Sequence, residues 1–156
     1  MTEPMRHKLC LDDEQATKAL AEKLAAAVGP GQIVALEGDL GAGKTVFARA
    51  FLRALGVEGD IPSPTFNLVL VYETSKGQVW HSDLYRLSVP DEAIELGLEE
   101  AFADAISLIE WPDRLGSDLP TDHLHITITS TDDIHARIAT LTATGRSKLL
   151  LQSLMD

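Results

Sequence analysis

The sequence predicts an α/β fold, a three-layer sandwich whose central sheet is mixed and partly antiparallel. Three observations predict it. The apolar run Ile33-Val34-Ala35-Leu36 has the length and composition of a buried strand, and it leads into a glycine-rich loop and a helical pattern. Two pairs of β-rich runs face each other across short turns, which demand antiparallel neighbours. Apolar stripes at helical spacing before and after the first strand supply helices to cover the sheet.

In chain order, Met5, His7, Leu9 and Leu11 alternate and predict an edge strand over residues 5–11. Asp12 then reads as a helix N-cap, with Gln15 as the return half of a capping box. Ala16, Leu20, Leu24 and Ala27 or Val28 share one stripe, so residues 13–28 form an amphipathic helix. Gly29-Pro30-Gly31 breaks it. Residues 38–45, Gly38-Asp39-Leu40-Gly41-Ala42-Gly43-Lys44-Thr45, match G-x-x-x-x-G-K-[ST] without a gap. Phe47, Phe51, Ala54 and Leu55 continue at helical spacing until Gly56. Two prolines keep Ile61-Pro62-Ser63-Pro64-Thr65-Phe66 extended.

Leu68 to Glu73 and Gln78 to Asp83 then read as a hairpin about Ser75-Lys76-Gly77. Residues 90–104 are acidic and helix-favouring, starting at Pro90, with Gly97 dividing two short helices. Ile106 to Glu110 is another buried strand. His123 to Thr129 pairs with the alternating Ala139, Leu141 and Ala143 after a turn at Asp132-Asp133. The leucine-rich tail from Ser147 to Met155 is the last helix.

The length of 156 residues predicts a single domain with one core over residues 1–156. Cys10 is the only cysteine, which excludes an internal disulfide and metal sites built on paired cysteines. The polar start, Met1-Thr2-Glu3-Pro4, leads to no apolar stretch of signal or membrane length, so a cytoplasmic protein away from membranes is expected. Lys and Arg total 13 against 24 acidic residues, a net charge of −11. A protein that grips nucleic acid unaided carries a basic face to neutralise phosphates. Any link to nucleic acid is therefore expected to pass through another protein.

Strand, glycine-rich loop and helix together make the fold P-loop NTPase-like. Glycines let backbone N–H groups crowd against phosphate oxygens, and the helix dipole adds to the site. The backbone of Asp39, Leu40, Gly41, Ala42 and Gly43 is expected to hold the phosphates, with Lys44 at the β- and γ-phosphates and the Thr45 hydroxyl on Mg²⁺.

Phosphoryl transfer also needs the cation held and a water oriented, and three further stretches offer this. Asp83, at a strand end, suits Mg²⁺ through water; it also suits a turn cap, or zinc together with His81. Glu110 ends a strand where α/β sheets place catalytic groups and could bind Mg²⁺ or orient water; its bland alternative is a solvated acid. Ser63-Pro64-Thr65-Phe66 offers hydroxyls that report on a γ-phosphate, or an ordinary proline turn. Trp111 reads as a core or interface residue. His123, His125 and His135 read as surface histidines ahead of a metal site, and Arg49 and Arg53 as solvated.

Together these pieces resemble one family, TsaE, the small ATPase of bacterial tRNA threonylcarbamoyladenosine (t6A) synthesis. The resemblance rests on Asp13-Glu14-Gln15-Ala16-Thr17, GDLGAGKT at 38–45, SPTF at 63–66, HSDLYR at 81–86 and Ile109-Glu110-Trp111, in order over residues 11–145. It implies a Mg²⁺-dependent ATPase required for t6A at position 37, weak alone, acting on a complex of TsaD and TsaB to support multiple turnovers, with tRNA touched only indirectly. It implies Mg²⁺ on Thr45 and Glu110 with Asp83 nearby, and a catalytic set of Lys44, Glu110, Asp83 and Thr65. Glu14 and Gln15 would contact the adenine side of ATP, and Arg137 would approach the nucleotide. Two rivals share the loop. A P-loop small-molecule kinase needs an arginine-bearing lid, whereas Arg86, Arg114 and Arg146 are scattered; a nucleotide-binding module would signal without turnover.

Overall fold

In chain order the elements are β1 (Met5–Leu11), α1 (Glu14–Ala27), β2 (Ile33–Glu37), α2 (Lys44–Ala54), β3 (Val69–Thr74), β4 (Gly77–Asp83), α3 (Asp91–Glu95), α4 (Leu98–Asp104), β5 (Ile106–Glu110), a 3₁₀ stretch (Pro112–Asp118), β6 (Leu124–Ser130), β7 (Arg137–Ala143) and α5 (Ser147–Met155). The computed structural model describes residues 3–39, 42–64, 68–89 and 91–155, with Ile94 described by its backbone alone. Leu40, Gly41, Thr65, Phe66 and the expected helix start at Pro90 lie outside the described residues.

Among the described residues seven strands form one sheet in the order β1-β7-β6-β2-β5-β4-β3. The four inner strands β6, β2, β5 and β4 run parallel, while β1–β7, β6–β7 and β3–β4 pair antiparallel. The expected mixed sheet is therefore present. Its helix-connected strands sit inside and its hairpins outside, because a two-residue turn can only return the chain antiparallel.

Side chains alternate across the sheet, so each inner strand feeds two cores. Val34, Leu36, Ile106, Leu108, Leu124, Ile126 and Leu141 pack with Leu20, Leu24, Phe47, Phe51 and Leu151 from α1, α2 and α5. Ile33 and Ile109 point the other way, into a smaller cluster with Leu84, Leu87, Leu98 and Leu115 under α3, α4 and the 3₁₀ stretch. These are the three layers. On that second face Thr127, Thr140 and Thr142 are only half-buried, as befits an antiparallel wing with one wet side.

Two local expectations need correction. The N-cap of α1 is Asp13, whose extended backbone lets Oδ1 accept from the Ala16 N–H at 2.9 Å. Helix numbering thus starts one residue later than expected. The third helical position is Ala16, so Gln15 closes no capping box. Arg49 and Arg53 are not merely solvated: Arg49 Nε donates to the Ile61 carbonyl at 3.1 Å and an Arg53 guanidinium N–H to the Val57 carbonyl at 3.0 Å, tying the chain after α2 back onto that helix.

The far end of α1 is closed from outside. Lys76, in the β3–β4 turn, donates to the carbonyls of Ala25, Ala26 and Val28 at 2.8–2.9 Å. Among the described residues no helix is long and apolar enough to cross a membrane.

Candidate functional site

β2 delivers the chain to the carboxyl edge of the sheet between two parallel neighbours, and the glycine-rich loop begins there. Gly38 is required by close approach: a Cβ at this position would stand 2.6 Å from the Ile128 carbonyl oxygen of β6. Past it, the Ala42 N–H donates to the Asp39 carbonyl at 3.0 Å and turns the backbone. Gly43 takes φ 108°, a left-handed conformation that glycine adopts without a side-chain clash, and begins α2 with no side-chain cap. An α-helix starts with backbone N–H groups that have no intrahelical partner, and an uncapped start is a ready anion site.

Lys44 opens that helix and is 7% exposed. Its ammonium lies 4.3 Å from the centre of the Trp111 ring. Trp111 reaches it because the residue takes φ 57° just before Pro112 and turns the ring back over the sheet edge. Tyr85 packs against Trp111 with ring centres 4.9 Å apart. Trp111 thus packs against the smaller core, as expected, and also covers the loop lysine.

The carboxylates arrive on neighbouring strands. Asp83 and Glu110 stand opposite each other in the β4–β5 register, and Leu36 of β2 stands opposite Glu110. Both acids are buried, Asp83 at 6% and Glu110 at 7% exposure. Asp83 Oδ1 accepts the Tyr85 N–H at 3.1 Å, so the turn-capping role anticipated for it is present. Glu110 is not a solvated acid: His81 Nε2 lies 2.7 Å from its Oε2 inside the fold. Thr45, Ser63, His81 and Glu110 line one crevice of about 10 Å³.

These donors suit Mg²⁺ better than zinc. Thr45, Glu110 and Asp83 offer oxygen only, and Mg²⁺ keeps several waters and takes phosphate oxygens. Among the described residues no three His, Cys, Asp or Glu side chains gather as a metal cage, so the zinc alternative for His81 and Asp83 finds no further ligand.

A second cavity, of about 180 Å³, opens beside Gly43 and Val46 and is bounded by Glu14 and Thr17 of α1. Ile134, His135 and Arg137 close its other side; no sequence signal marked Ile134, and His135 stood out only as a surface histidine. Gln15 is absent from this lining and exposed, because residues 14 and 17 share a helix face from which 15 is turned away. Arg137 Nε donates to the Ala42 carbonyl at 3.1 Å, which brings this side chain to the loop.

The histidines divide. His123 and His125 come together with ring nitrogens 3.2 Å apart, and His125 Nε2 lies 3.1 Å from Glu37 Oε1. Burial pushes the His123 pKa below the usual imidazole range, against the opposing bond from its Nδ1 to the Pro120 carbonyl. His135 lines the larger cavity instead.

A family model described as threonylcarbamoyl adenosine biosynthesis protein TsaE matches residues 11–139. A Rickettsia bellii protein named tRNA threonylcarbamoyladenosine biosynthesis protein TsaE is 44% identical over 124 residues, 79% of this chain and 86% of the relative. The Bacillus subtilis protein of the same name is 39% identical over 142 residues, 90% of this chain and 88% of the relative. A crystal structure of Bacillus subtilis YdiB superposes with a TM-score of 0.79 at 33% identity, covering 99% of this chain and 96% of that one.

Proposed function

Because the chain belongs to the TsaE family of threonylcarbamoyl adenosine biosynthesis proteins, we propose that it is the Mg²⁺-dependent ATPase of tRNA N6-threonylcarbamoyladenosine synthesis. The observation that carries the enzymatic part is the uncapped start of α2 at Gly43, with Lys44 beside it and Asp83 and Glu110 in register on β4 and β5. In this reading the uncapped N–H groups of the first helical turn grip the triphosphate. Lys44 leaves the Trp111 face to reach the β- and γ-phosphates, and its charge counts most where negative charge builds up during transfer.

Thr45 Oγ1 and Glu110 would hold a Mg²⁺ ion, with Asp83 acting through water, and the chemistry supplied there would be neutralisation of phosphate charge. Arg137 steadies the loop through the Ala42 carbonyl. Val46 and Ile134 offer apolar surface, and Glu14 an acceptor, to a base seated in the 180 Å³ cavity.

The partners in this reading are TsaD and TsaB, whose complex the ATPase resets so that it turns over repeatedly. The net charge of −11 argues against a direct grip on tRNA. The test is ATP hydrolysis with TsaD and TsaB titrated in, alongside t6A formation over several cycles. Wild-type protein should release ADP and free phosphate, faster with the partners. Lys44→Ala should lose on the order of 10²- to 10³-fold in rate, by analogy with other electrostatic donors. Unchanged hydrolysis in that variant would remove the site assignment, and a phosphorylated metabolite in place of phosphate would favour the kinase.

A further inference from the structure

His81 has a place in this site that its sequence position does not announce. It sits two residues before Asp83 on β4, so both side chains leave the same face of the strand, towards Glu110 on β5. The ring is 3% exposed. Its Nε2 meets Glu110 Oε2 at 2.7 Å, a charge-assisted length, with Nε2–H donating to the carboxylate. Its other nitrogen, Nδ1, is buried and has no partner among the described residues. A histidine kept for packing alone would satisfy both nitrogens or give way to an apolar residue, because an unpaired buried acceptor costs stability. The ring is held at one end only, and that end is the carboxylate.

We propose that His81 is a positioning residue for the cation site: its Nε2–H fixes Glu110 by Oε2 and so presents the other carboxylate oxygen to Mg²⁺. This rests on the reading above that Glu110 ligates Mg²⁺. A glutamate has three side-chain torsions, and an unrestrained one spreads its carboxylate over several positions. A bond to one oxygen removes that freedom before the cation arrives, as outer-shell partners do for metal ligands elsewhere. The crevice shared by Thr45, Ser63, His81 and Glu110 has room for about one water.

The experiment compares wild type, His81→Phe, His81→Gln, His81→Asn and Glu110→Ala as full chains of matched thermal stability. Mn²⁺ affinity in the presence of ADP is read by electron paramagnetic resonance, and ADP affinity is measured again in EDTA. Gln places its amide nitrogen near the position of Nε2, whereas Asn places it near Nδ1. His81→Phe should weaken Mn²⁺ binding roughly 10- to 100-fold, the usual effect of losing an outer-shell partner, while ADP binding in EDTA stays at the wild-type level. His81→Gln should recover most of the loss and His81→Asn should not. Should Glu110→Ala abolish Mn²⁺ binding while His81→Phe leaves it intact, the positioning role is wrong and the cation site stands. Equal defects in the Gln and Asn variants would likewise reduce His81 to packing. If Glu110→Ala itself binds Mn²⁺ normally, the cation site and the role of His81 fall together.

Discussion

The Lys44 ammonium rests 4.3 Å above the Trp111 ring, the residue that follows Glu110 in the chain. A cation over an indole face gains about 0.5–2 kcal/mol, rising as water is excluded. The contact keeps a buried lysine compensated, and it must break for the ammonium to reach a phosphate. Titrating Mg²⁺ and ATP into the protein should therefore change the Trp111 fluorescence. Trp111→Phe should abolish the change and leave the emission of Trp80 indifferent to nucleotide. A full response in that variant would show that Lys44 does not move off the ring.

Gly38 is a packing requirement as much as a motif residue. A methyl group placed 2.6 Å from the Ile128 carbonyl oxygen forces β2 and β6 apart at the root of the loop. Overpacking of this kind costs about 1–3 kcal/mol. Gly38→Ala should lower the urea midpoint accordingly, measured without nucleotide so that binding does not enter.

Lys76 gathers three carbonyls at the end of α1. Lys76→Met keeps the aliphatic stem and removes the charge. Losing charge-assisted bonds to carbonyls that water can partly replace should cost about 1–3 kcal/mol. Chemical denaturation checks the size, and hydrogen exchange should localise the added opening to residues 24–28.

Much of this architecture can be read from the chain, and the exceptions share a cause. β2 announces itself as an apolar run, Ile33 to Leu36, and β5 as a buried one broken only by Ser107, because helices cover both their faces. β6 and β7 alternate because only one of their faces is covered. Lys44, Thr45, Asp83 and Glu110 stand out because strand ends and a glycine loop are local signals. The cap of α1 slips by one residue because Asp12 and Asp13 are chemically equivalent there, and only the extended backbone of Asp13 decides. Lys76, Arg49, Arg53 and the Lys44–Trp111 contact leave no sequence signature, since each depends on where a distant backbone or ring comes to rest. His81 suggested zinc because spacing along one strand cannot show a carboxylate arriving from the next.

Two groups with lowered pKa values contribute to the loss of stability in acid. Burial lowers the His123 pKa, so the folded state resists its protonation. That stability is in place above the ordinary histidine range and drains away as pH falls through the lowered folded value. Asp122 is also lowered: burial alone would raise it, but the hydroxyl and N–H of Ser147, the N–H of Arg146 and the Arg146 charge together outweigh that. Its contribution holds above the ordinary aspartate range and is lost as pH falls further. Urea midpoints should be flat near neutrality and then fall in two stages. His123→Gln should remove the upper stage, and Asp122→Asn the lower.

The first strand of the sheet waits for the last. Met5 lies opposite Ala143 and Leu11 opposite Arg137, and among the described residues β1 has no other neighbour in the sheet. A chain leaving the ribosome therefore carries β1 as an unmatched ribbon until β7 has been synthesised, and such pairings across long separations form slowly. A nascent chain halted before β7 should leave residues 5–11 open to protease, however well the phosphate loop and its helix have already settled.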